Sequence, residues 1–249
     1  FKNGWLDILF DNVENRNALK NNLIEELFIV FDLIKNDKGV RGVLLRGNGN
    51  VFCAGADLKE LQGMQNNTYE KNLKDSKNLM TLFQKILSSN KLVIAKVDGA
   101  AIAGGCGLAT ACDVIFATEK AKFGYTEVNI GFVPAIVSTF LSKRVNDFIS
   151  KELFLTGKIL DAKKAHEIHL IDYYVESEKL EKEVGLYIQK FLKKCSPQSV
   201  SETKKMLYNF LEIEKKMNLA CEINAKSRKN SDCIKGIHRF LNKEKNYWN

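Results

Sequence analysis

One acidic side chain stands in surroundings that suit proton transfer. Glu127 lies in the segment 123–131, and the apolar residues Val128, Ile130 and Phe132 follow it closely. Burial among such side chains disfavours the ionised carboxylate and raises its pKa towards the range used in general acid–base catalysis. Position alone is also consistent with a plain surface role for Glu127, because most acidic residues lie on the surface and Glu127 is one of 30 acids in the chain.

A stretch of very small residues could supply the complementary chemistry. It runs from Asp98 to Asp113, is rich in glycine and alanine, and separates an apolar, strand-like run from what should be a helix. Small residues let a ligand approach bare backbone N–H groups, and the positive end of a helix behind them favours an oxyanion. Tight packing between a helix and a strand requires the same residue types, so this stretch alone leaves both interpretations open.

A second stretch of the same kind decides between them. Val43-Leu44-Leu45-Arg46-Gly47 has the composition of a buried strand, and Asn48-Gly49-Asn50 that of a loop. The segment Val51-Phe52-Cys53-Ala54-Gly55-Ala56-Asp57-Leu58 then forms another small-residue turn into a short helix. Two such turns in one domain indicate two converging backbone donors.

The periodicity predicts elements that place both turns. Alternation predicts a strand over Leu6–Phe10, and apolar residues at helical spacing predict a helix from about Ala18 to Lys35. The later predicted elements, in chain order, are strand 40–46, helix 69–87, strand 92–97, helix 104–112, and strands 114–117 and 122–125. Repeated strand-turn-helix units predict an α/β core whose active site lies where strands lead into helix N-termini.

The end of the chain has a different character. After about Ser177 only helical patterns remain, with breaks typical of helix caps at Ser196-Pro197 and Asn230-Ser231-Asp232. We expect a core with the catalytic site over residues 1–190 and a helical region over 191–249. A helical tail of this kind has little apolar surface of its own to bury, so it should pack on the core or on another subunit.

Taken together and in order, several short motifs resemble those of the enoyl-CoA hydratase/isomerase family, the crotonases. They are Asn17-Ala18-Leu19, Phe52 to Leu58, Ala103-Gly104-Gly105-Cys106-Gly107, Ala111-Cys112-Asp113, Phe123 to Glu127, and Phe154-Leu155-Thr156-Gly157. The resemblance runs through nearly the whole chain. It implies a spiral of ββα units with a C-terminal helical region, and subunits that form a homotrimer or a dimer of trimers.

The resemblance also implies roles for individual residues. The amides of Ala56 and Gly104 would stabilise a thioester enolate, and Glu127 would be the acid–base residue. Further positions would contact the acyl-CoA substrate, namely Ala54, Asp57, Leu58, Lys59, Gly105, Gly107, Pro134, Phe240 and Lys243. The variable stretch from Gly63 to Asp75 would line part of the acyl pocket. Coenzyme A enters only as part of the substrate, and no separate cofactor is implied.

Gly107 departs from the best-known hydratase pattern, which has a second glutamate at that position. One carboxylate is enough to move a double bond between the 3 and 2 positions, which favours an isomerase. The segment 130–138 instead resembles bacterial hydratases of branched enoyl-CoAs such as methylglutaconyl-CoA. The prediction is therefore a hydratase of a short or branched 2-enoyl-CoA, with a 3,2-enoyl-CoA isomerase as the alternative. A non-catalytic acyl-CoA-binding protein of this fold is the third interpretation.

Other ligands are less consistent with the residues. Gly105 to Thr110 follows a strand as a dinucleotide fingerprint does, but Thr110 occupies its third glycine position and the preceding loop is too long. His166 and His169 lack a third metal ligand at sensible spacing, so we expect no metal site. The six cysteines form no C-x-x-C pair, which favours reduced core thiols.

Composition limits the remaining classes. The 249 residues include 45% hydrophobic and 27% charged residues, which suits one sizeable globular unit. The net charge of +8 comes from lysines spread among acids, which favours a solvated surface over a nucleic-acid groove. No apolar run approaches the roughly twenty residues of a membrane span. We expect a cytoplasmic location, although Phe1 leaves room for a targeting segment upstream.

Overall fold

The computed structural model describes residues 4–245 and residue 248, except for the side chain of Leu211. The predicted core (1–190) and the predicted helical region (191–249) include residues 1–3 and residues 246, 247 and 249, which lie outside the described residues. The strands are β1 (Trp5–Phe10), β2 (Gly42–Gly47), β3 (Val51–Cys53), β4 (Leu92–Val97), β5 (Ala100–Ile102), β6 (Val114–Thr118), β7 (Lys122–Gly124), β8 (Ile159–Asp161) and β9 (Tyr173–Val175).

Helices follow most of these strands. The α-helices are α1 (Asn21–Asn36), α2 (Leu58–Gly63), α3 (Tyr69–Leu87), α4 (Gly104–Thr110), α5 (Ala135–Leu141), α6 (Asp147–Thr156), α7 (Ala162–Glu167), α8 (Leu180–Lys194), α9 (Pro197–Leu211), α10 (Ile213–Ser227) and α11 (Ser231–Leu241). Short 3-10 helices occupy Val13–Asn15, Met64–Asn66, Glu127–Ile130 and Ser177–Lys179.

From β2 to β7, consecutive strands alternate between two sheets. The larger sheet has the order β1-β2-β4-β6-β9 and is parallel throughout, whereas the smaller has the order β3-β5-β7-β8 with β8 antiparallel to β7. Each of the pairs β2/β3 and β4/β5 therefore contributes one strand to each sheet before a helix follows. This repeat is the predicted ββα arrangement, so the predicted fold class is confirmed.

Both faces of the larger sheet are buried, as its run of Val, Leu and Ile requires. Along β2, Val43 and Leu45 enter the main core with α1 and α3, while Leu44 points to the opposite face. There it meets apolar residues of α8, including Val184 and Phe191. The first helix of the C-terminal series thus covers the outer face of the sheet, and the predicted boundary near residue 190 falls inside it.

The first helix begins later than its periodicity predicts. Arg16 and Asn17 both have φ of +52°, and Leu19 forms an isolated parallel bridge with Ala56, so residues up to Lys20 stay outside the helix. A tertiary contact with the turn after β3 therefore overrides local helical preference. The predicted helix 69–87 and strand 92–97, by contrast, have the bounds observed for α3 and β4.

The breaks expected in the tail do coincide with helix starts. Ser196 caps α9 by accepting a hydrogen bond from Ser199 N, and Asn230 directly precedes α11. The tail returns to the core, because α10 packs against α3 and α5, and α11 against α2 and the 3-10 helix at Glu127. Among residues 4–245 and 248, none of the helices has the length and apolar character needed to cross a membrane.

Candidate active site

A cavity of about 360 Å³ lies where the ends of β3 and β5 meet the 3-10 helix Glu127–Ile130 and the helices α3, α5 and α10. It contains most of the predicted site residues, namely Ala54, Ala56, Asp57, Leu58, Gly104, Glu127, Pro134 and Phe240. The other predicted residues, Lys59, Gly105, Gly107 and Lys243, are described by the structure but do not line this cavity.

The backbone amides of Ala56 and Gly104 lie on two turns that touch each other. Gly55 has φ of +82°, and a Cβ at this position would come within 2.8 Å of the Ile102 carbonyl and 3.1 Å of Gly104 N. A Cβ on Gly104 would in turn lie 4.0 Å from Ala56 N. The absence of a side chain at Gly55 therefore allows the two turns to pack in direct contact.

Both amides remain available to a ligand. Among the described residues, neither the Ala56 N–H nor the Gly104 N–H donates to a backbone carbonyl. The Gly104 amide is at the first position of α4, where an N–H has no intrahelical partner. Two unpaired N–H groups on adjoining turns in a cavity wall are suited to stabilising an oxyanion.

A strained residue directs the Gly104 donor. Ala103, the N-cap of α4, has φ of +51° and ψ of −125°, a conformation that costs a non-glycine residue about 1–3 kcal/mol. Its N–H donates to Gly124 O at 2.7 Å, and its carbonyl accepts from Gly107 N at 3.0 Å. These bonds to β7 and α4 hold the turn, so the orientation of the Gly104 amide is set before any substrate binds.

Asn17 braces the other turn, a role that its motif did not reveal. Its side chain is fully buried, and Nδ2 donates to Asn48 O at 3.0 Å and to Val51 O at 2.7 Å. Two residues later, Leu19 N donates to Gly55 O at 2.8 Å. The segment before α1 is thus attached to both ends of β3, which fixes the turn that contains Ala56.

Glu127 places a carboxyl group in the same cavity. The residue is only 7% exposed, and burial raises its pKa to about 7 against a small opposing effect of a hydrogen bond from its own backbone N–H. Oε2 is buried and has no hydrogen-bond partner among the described residues. A carboxyl group that titrates near neutral pH with a free oxygen is suited to accepting a proton and returning it.

The position of the family's second glutamate is filled by other side chains. A Cβ on Gly107 would lie 2.3 Å from Val137 Cγ1 and 3.3 Å from Phe83 Cζ. A glutamate at this position would therefore require the Val137 side chain to shift. Two further acids of the cavity are already paired, since Asp57 contacts Lys20 at 3.3 Å and Asp75 contacts Arg228 at 2.6 Å. Glu127, by contrast, keeps a buried carboxyl oxygen, Oε2, that has no hydrogen-bond partner among the described residues.

The turn predicted to bind coenzyme A is organised by Asp57. Its Oδ1 accepts from Lys59 N at 2.9 Å and from Glu60 N at 3.2 Å, which caps α2. Because this side chain is occupied by the cap, the turn presents backbone to the cavity. Lys59 points to solvent, whereas Phe240 is 53% exposed at the cavity edge. Lys243 is also exposed and has φ of +58°.

Sequence reasoning missed the polar residues that the tail contributes. Asn224 and Arg228 lie one helical turn apart at the end of α10, are both 4% exposed, and line the cavity. The available signal was their spacing, since polar residues four apart occupied the buried face of an amphipathic helix. From the stretch 63–75, which was expected to line the acyl pocket, Met64 and Asp75 line this cavity.

Possible metal ligands and the thiols near the cavity are arranged as follows. Within the ranges 4–245 and 248, no three side chains of His, Cys, Asp or Glu come together as a metal site. Burial raises the pKa of the Cys53 and Cys106 thiols to about 12, so that neither is a ready nucleophile.

Comparison with known proteins identifies the class to which this fold and site belong. The family model described as enoyl-CoA hydratase/isomerase matches residues 1–249. A solved structure of an enoyl-CoA hydratase/isomerase from Xanthobacter autotrophicus Py2 superposes with a TM-score of 0.85 at 30% identity. The match covers 95% of this chain and 89% of that one.

Two sequence relatives are also named as members of this family. A protein of Thermus thermophilus provisionally named an enoyl-CoA hydratase is 36% identical over 238 residues, 95% of this chain and 94% of the relative. A probable enoyl-CoA hydratase of Bacillus subtilis is 33% identical over 234 residues, 92% of this chain and 89% of the relative. The chain belongs to the enoyl-CoA hydratase/isomerase family, and it is an enzyme of the crotonase superfamily.

Proposed function

We propose that the protein is a hydratase that adds water across the 2,3 double bond of a short or branched 2-enoyl-CoA. The observation that carries this proposal is the single unpaired carboxyl oxygen of Glu127 in one cavity with the free amides of Ala56 and Gly104. The relatives named as hydratases support hydration over isomerisation. In this proposal coenzyme A is part of the substrate, and no separate cofactor takes part.

The proposed steps balance with one carboxylate. Ionised Glu127 removes a proton from water while the water oxygen bonds to C3 of the enoyl group. The electron pair of the double bond moves to the thioester, whose oxyanion accepts hydrogen bonds from the Ala56 and Gly104 amides. Neutral Glu127 then gives its proton to C2, which yields the 3-hydroxyacyl-CoA and restores the carboxylate. The pKa near 7 suits both transfers, because each form is populated near neutral pH.

The Gly107 site favours a second candidate function, a 3,2-enoyl-CoA isomerase. Val137 and Phe83 occupy the space of a second glutamate, and isomerisation requires only one base. Glu127 would remove a proton from C2 of a 3-enoyl-CoA, the same amides would hold the enolate, and the proton would return at C4.

Labelled water separates the two reactions. The protein is incubated in oxygen-18 water with matched 2-enoyl-CoA and 3-enoyl-CoA thioesters, and products are analysed by mass spectrometry. Label at C3 that disappears in Glu127→Gln is the expected result. Double-bond migration without label would overturn hydration in favour of isomerisation, and no turnover would leave a non-catalytic acyl-CoA-binding protein. Glu178→Gln, which changes an exposed acid, is the matched control.

Coenzyme A binding is proposed at the turn Ala54–Leu58, with Lys59 and Lys243 towards the phosphates and Phe240 at the adenine. The position of Phe240 at the cavity edge supports this arrangement. Titration of Lys243→Glu with coenzyme A tests it, and an unchanged dissociation constant would remove Lys243 from the site.

Assembly as a trimer or a dimer of trimers is proposed as well. Large apolar side chains remain exposed on the single chain, among them Phe148 at 85%, Leu155 at 67% and Phe210 at 70%. Surfaces of this kind commonly mark contacts between subunits. Light scattering of the purified protein measures the mass directly, and a monomer would contradict the proposal.

A further inference from the structure

The cavity has a polar group at the end formed by α3 and α10. Arg228 Nη2 donates to Asp75 Oδ2 at 2.6 Å, to Asn224 Oδ1 at 3.2 Å and to Ser76 Oγ at 3.3 Å. Arg228, Asp75 and Asn224 all line the cavity, and Arg228 is 4% exposed. A guanidinium group is therefore held in place by neighbours on two helices.

This guanidinium group has more donors than the protein uses. It carries five N–H bonds, of which the two on Nη2 serve the three oxygens above. Among the residues that the structure describes, Nη1 donates only to Met64 Sδ at 3.1 Å, and a thioether is a weak acceptor. Nε is buried and has no partner in the part of the chain that the structure describes. Leaving buried donors unpaired is unfavourable, so the group is suited to an additional acceptor.

Neighbouring side chains show the same excess of hydrogen-bonding capacity. Asn72, one turn before Ser76 on α3, is fully buried, and neither its Nδ2 nor its Oδ1 is paired within the described residues. The Nε2 atom of Gln65, next to Met64, is in the same situation. Asn72 and Gln65 are thus close in the chain to Ser76 and Met64, which contact Arg228, whereas α5 supplies apolar Ile136 and Val137 to the cavity wall.

The charges here favour an uncharged ligand group. The positive charge of Arg228 is already matched by Asp75 at 2.6 Å. Glu60 also lines the cavity, and burial followed by the charge of Asp57 raises its pKa. A further carboxylate would therefore be repelled by Asp75, whereas a hydroxyl or carbonyl oxygen would accept a hydrogen bond from Arg228 without that repulsion.

Burial indicates which part of the ligand reaches this end. The phosphates of coenzyme A are strongly hydrated and belong at the open edge, where Phe240 is half exposed. Arg228 lies in the buried part of the same cavity, so it faces the end of the acyl chain. We propose that Arg228 is a specificity-determining residue that donates a hydrogen bond to an uncharged oxygen on the acyl chain beyond the thioester. This inference rests on the proposed function, because it assumes an acyl-CoA ligand.

Binding of saturated acyl-CoAs tests the inference without relying on turnover. Calorimetry compares chains of equal length that end in a methyl, a hydroxymethyl or a carboxyl group, over a series of lengths. We expect the hydroxylated chain of suitable length to bind about tenfold to a hundredfold more tightly than its methyl counterpart, as for a hydrogen bond to a charged donor. Arg228→Met should abolish that preference and leave the affinity for the methyl chain within about twofold.

Two further variants keep the test decisive. Arg228→Met leaves the half-buried Asp75 without its partner, so the double variant Asp75→Asn with Arg228→Met removes both charges and guards against misfolding. Lys229→Met removes a neighbouring exposed cation and should leave the preference intact. A preference that survives the loss of Arg228, or none in the wild type, would overturn the inference. If the carboxylated chain binds most tightly, the inference that Arg228 binds an uncharged oxygen is overturned.

Hydration of crotonyl-CoA, measured in parallel, keeps the two proposals apart. Hydration without discrimination among the acyl ends would refute the role of Arg228 and leave the proposed reaction standing. Discrimination without hydration would support Arg228 and refute the hydratase.

Discussion

Replacing Glu127 with glutamine should make the protein more stable at neutral and alkaline pH and leave it unchanged in acid. Glutamine has nearly the shape of the protonated carboxyl group but never ionises. Wild-type Glu127, by contrast, must carry a charge inside the cavity once the pH exceeds its pKa. The difference between the two proteins therefore isolates the cost of ionising this one buried group.

The size of the effect follows from proton linkage. Burial raises the pKa of Glu127 from 4.5 to about 7, so the folded protein retains a proton that the unfolded chain releases between these values. Stability of the wild type consequently falls as the pH rises through this window. At about 1.4 kcal/mol for each pH unit, the full loss is about 3 kcal/mol above pH 7 and vanishes below pH 4.5.

Denaturant unfolding at a series of pH values measures this difference. All other ionisable groups are common to both proteins, so their contributions cancel in the comparison. We expect Glu127→Gln to gain about 3 kcal/mol over the wild type across the window, and Glu178→Gln, at an exposed position, to show no such rise. A constant difference between Glu127→Gln and wild type at all pH values would refute the raised pKa and the reasoning built on burial.

Three other predictions concern the same cavity. If ionised Glu127 activates water, kcat/KM should rise about tenfold per pH unit in acid and level off near pH 7, and a plateau reached near pH 4.5 would contradict this. Gly104→Pro deletes one oxyanion donor and should lower kcat about 100- to 1,000-fold with the melting temperature as the check on folding, so retained activity would exclude this amide. Gly107→Ala places a methyl group 2.3 Å from Val137 Cγ1 and should cost about 1–3 kcal/mol in denaturant unfolding. Adding Val137→Ala should recover part of that loss, and strictly additive losses would show that the two side chains do not collide.

Much of the core could be predicted because its signals are local. Strand 92–97 is apolar apart from Lys96, and helix 69–87 has a clear periodicity, so neither depends on distant residues. The three-residue strands β5 and β8 are too short for any periodic signal, and each forms by pairing with β7. The late start of α1 also depends on a distant partner, the turn at Ala56.

The candidate site likewise contains some residues that sequence motifs identify and others whose role depends on distant parts of the chain. Ala56, Gly104 and Glu127 stood in motifs with recognisable chemistry, and the structure brings all three to one cavity. Arg228 carried no motif, since its environment is created by α3 from a distant part of the chain. The loss of space at Gly107 likewise depends on where α5 packs, which residue types alone do not reveal.

The contact between the two turns at Gly55 has a consequence for how this enzyme could change. The groups that would hold the enolate are main-chain atoms, fixed by one glycine and its neighbours. The walls that would meet the rest of an acyl chain are side chains of α3, α5 and α10. Reactivity and selectivity are therefore encoded at separate positions. A mutant library confined to those three helices would explore new substrates while the reaction centre stays intact, so diversification need not begin with loss of catalysis.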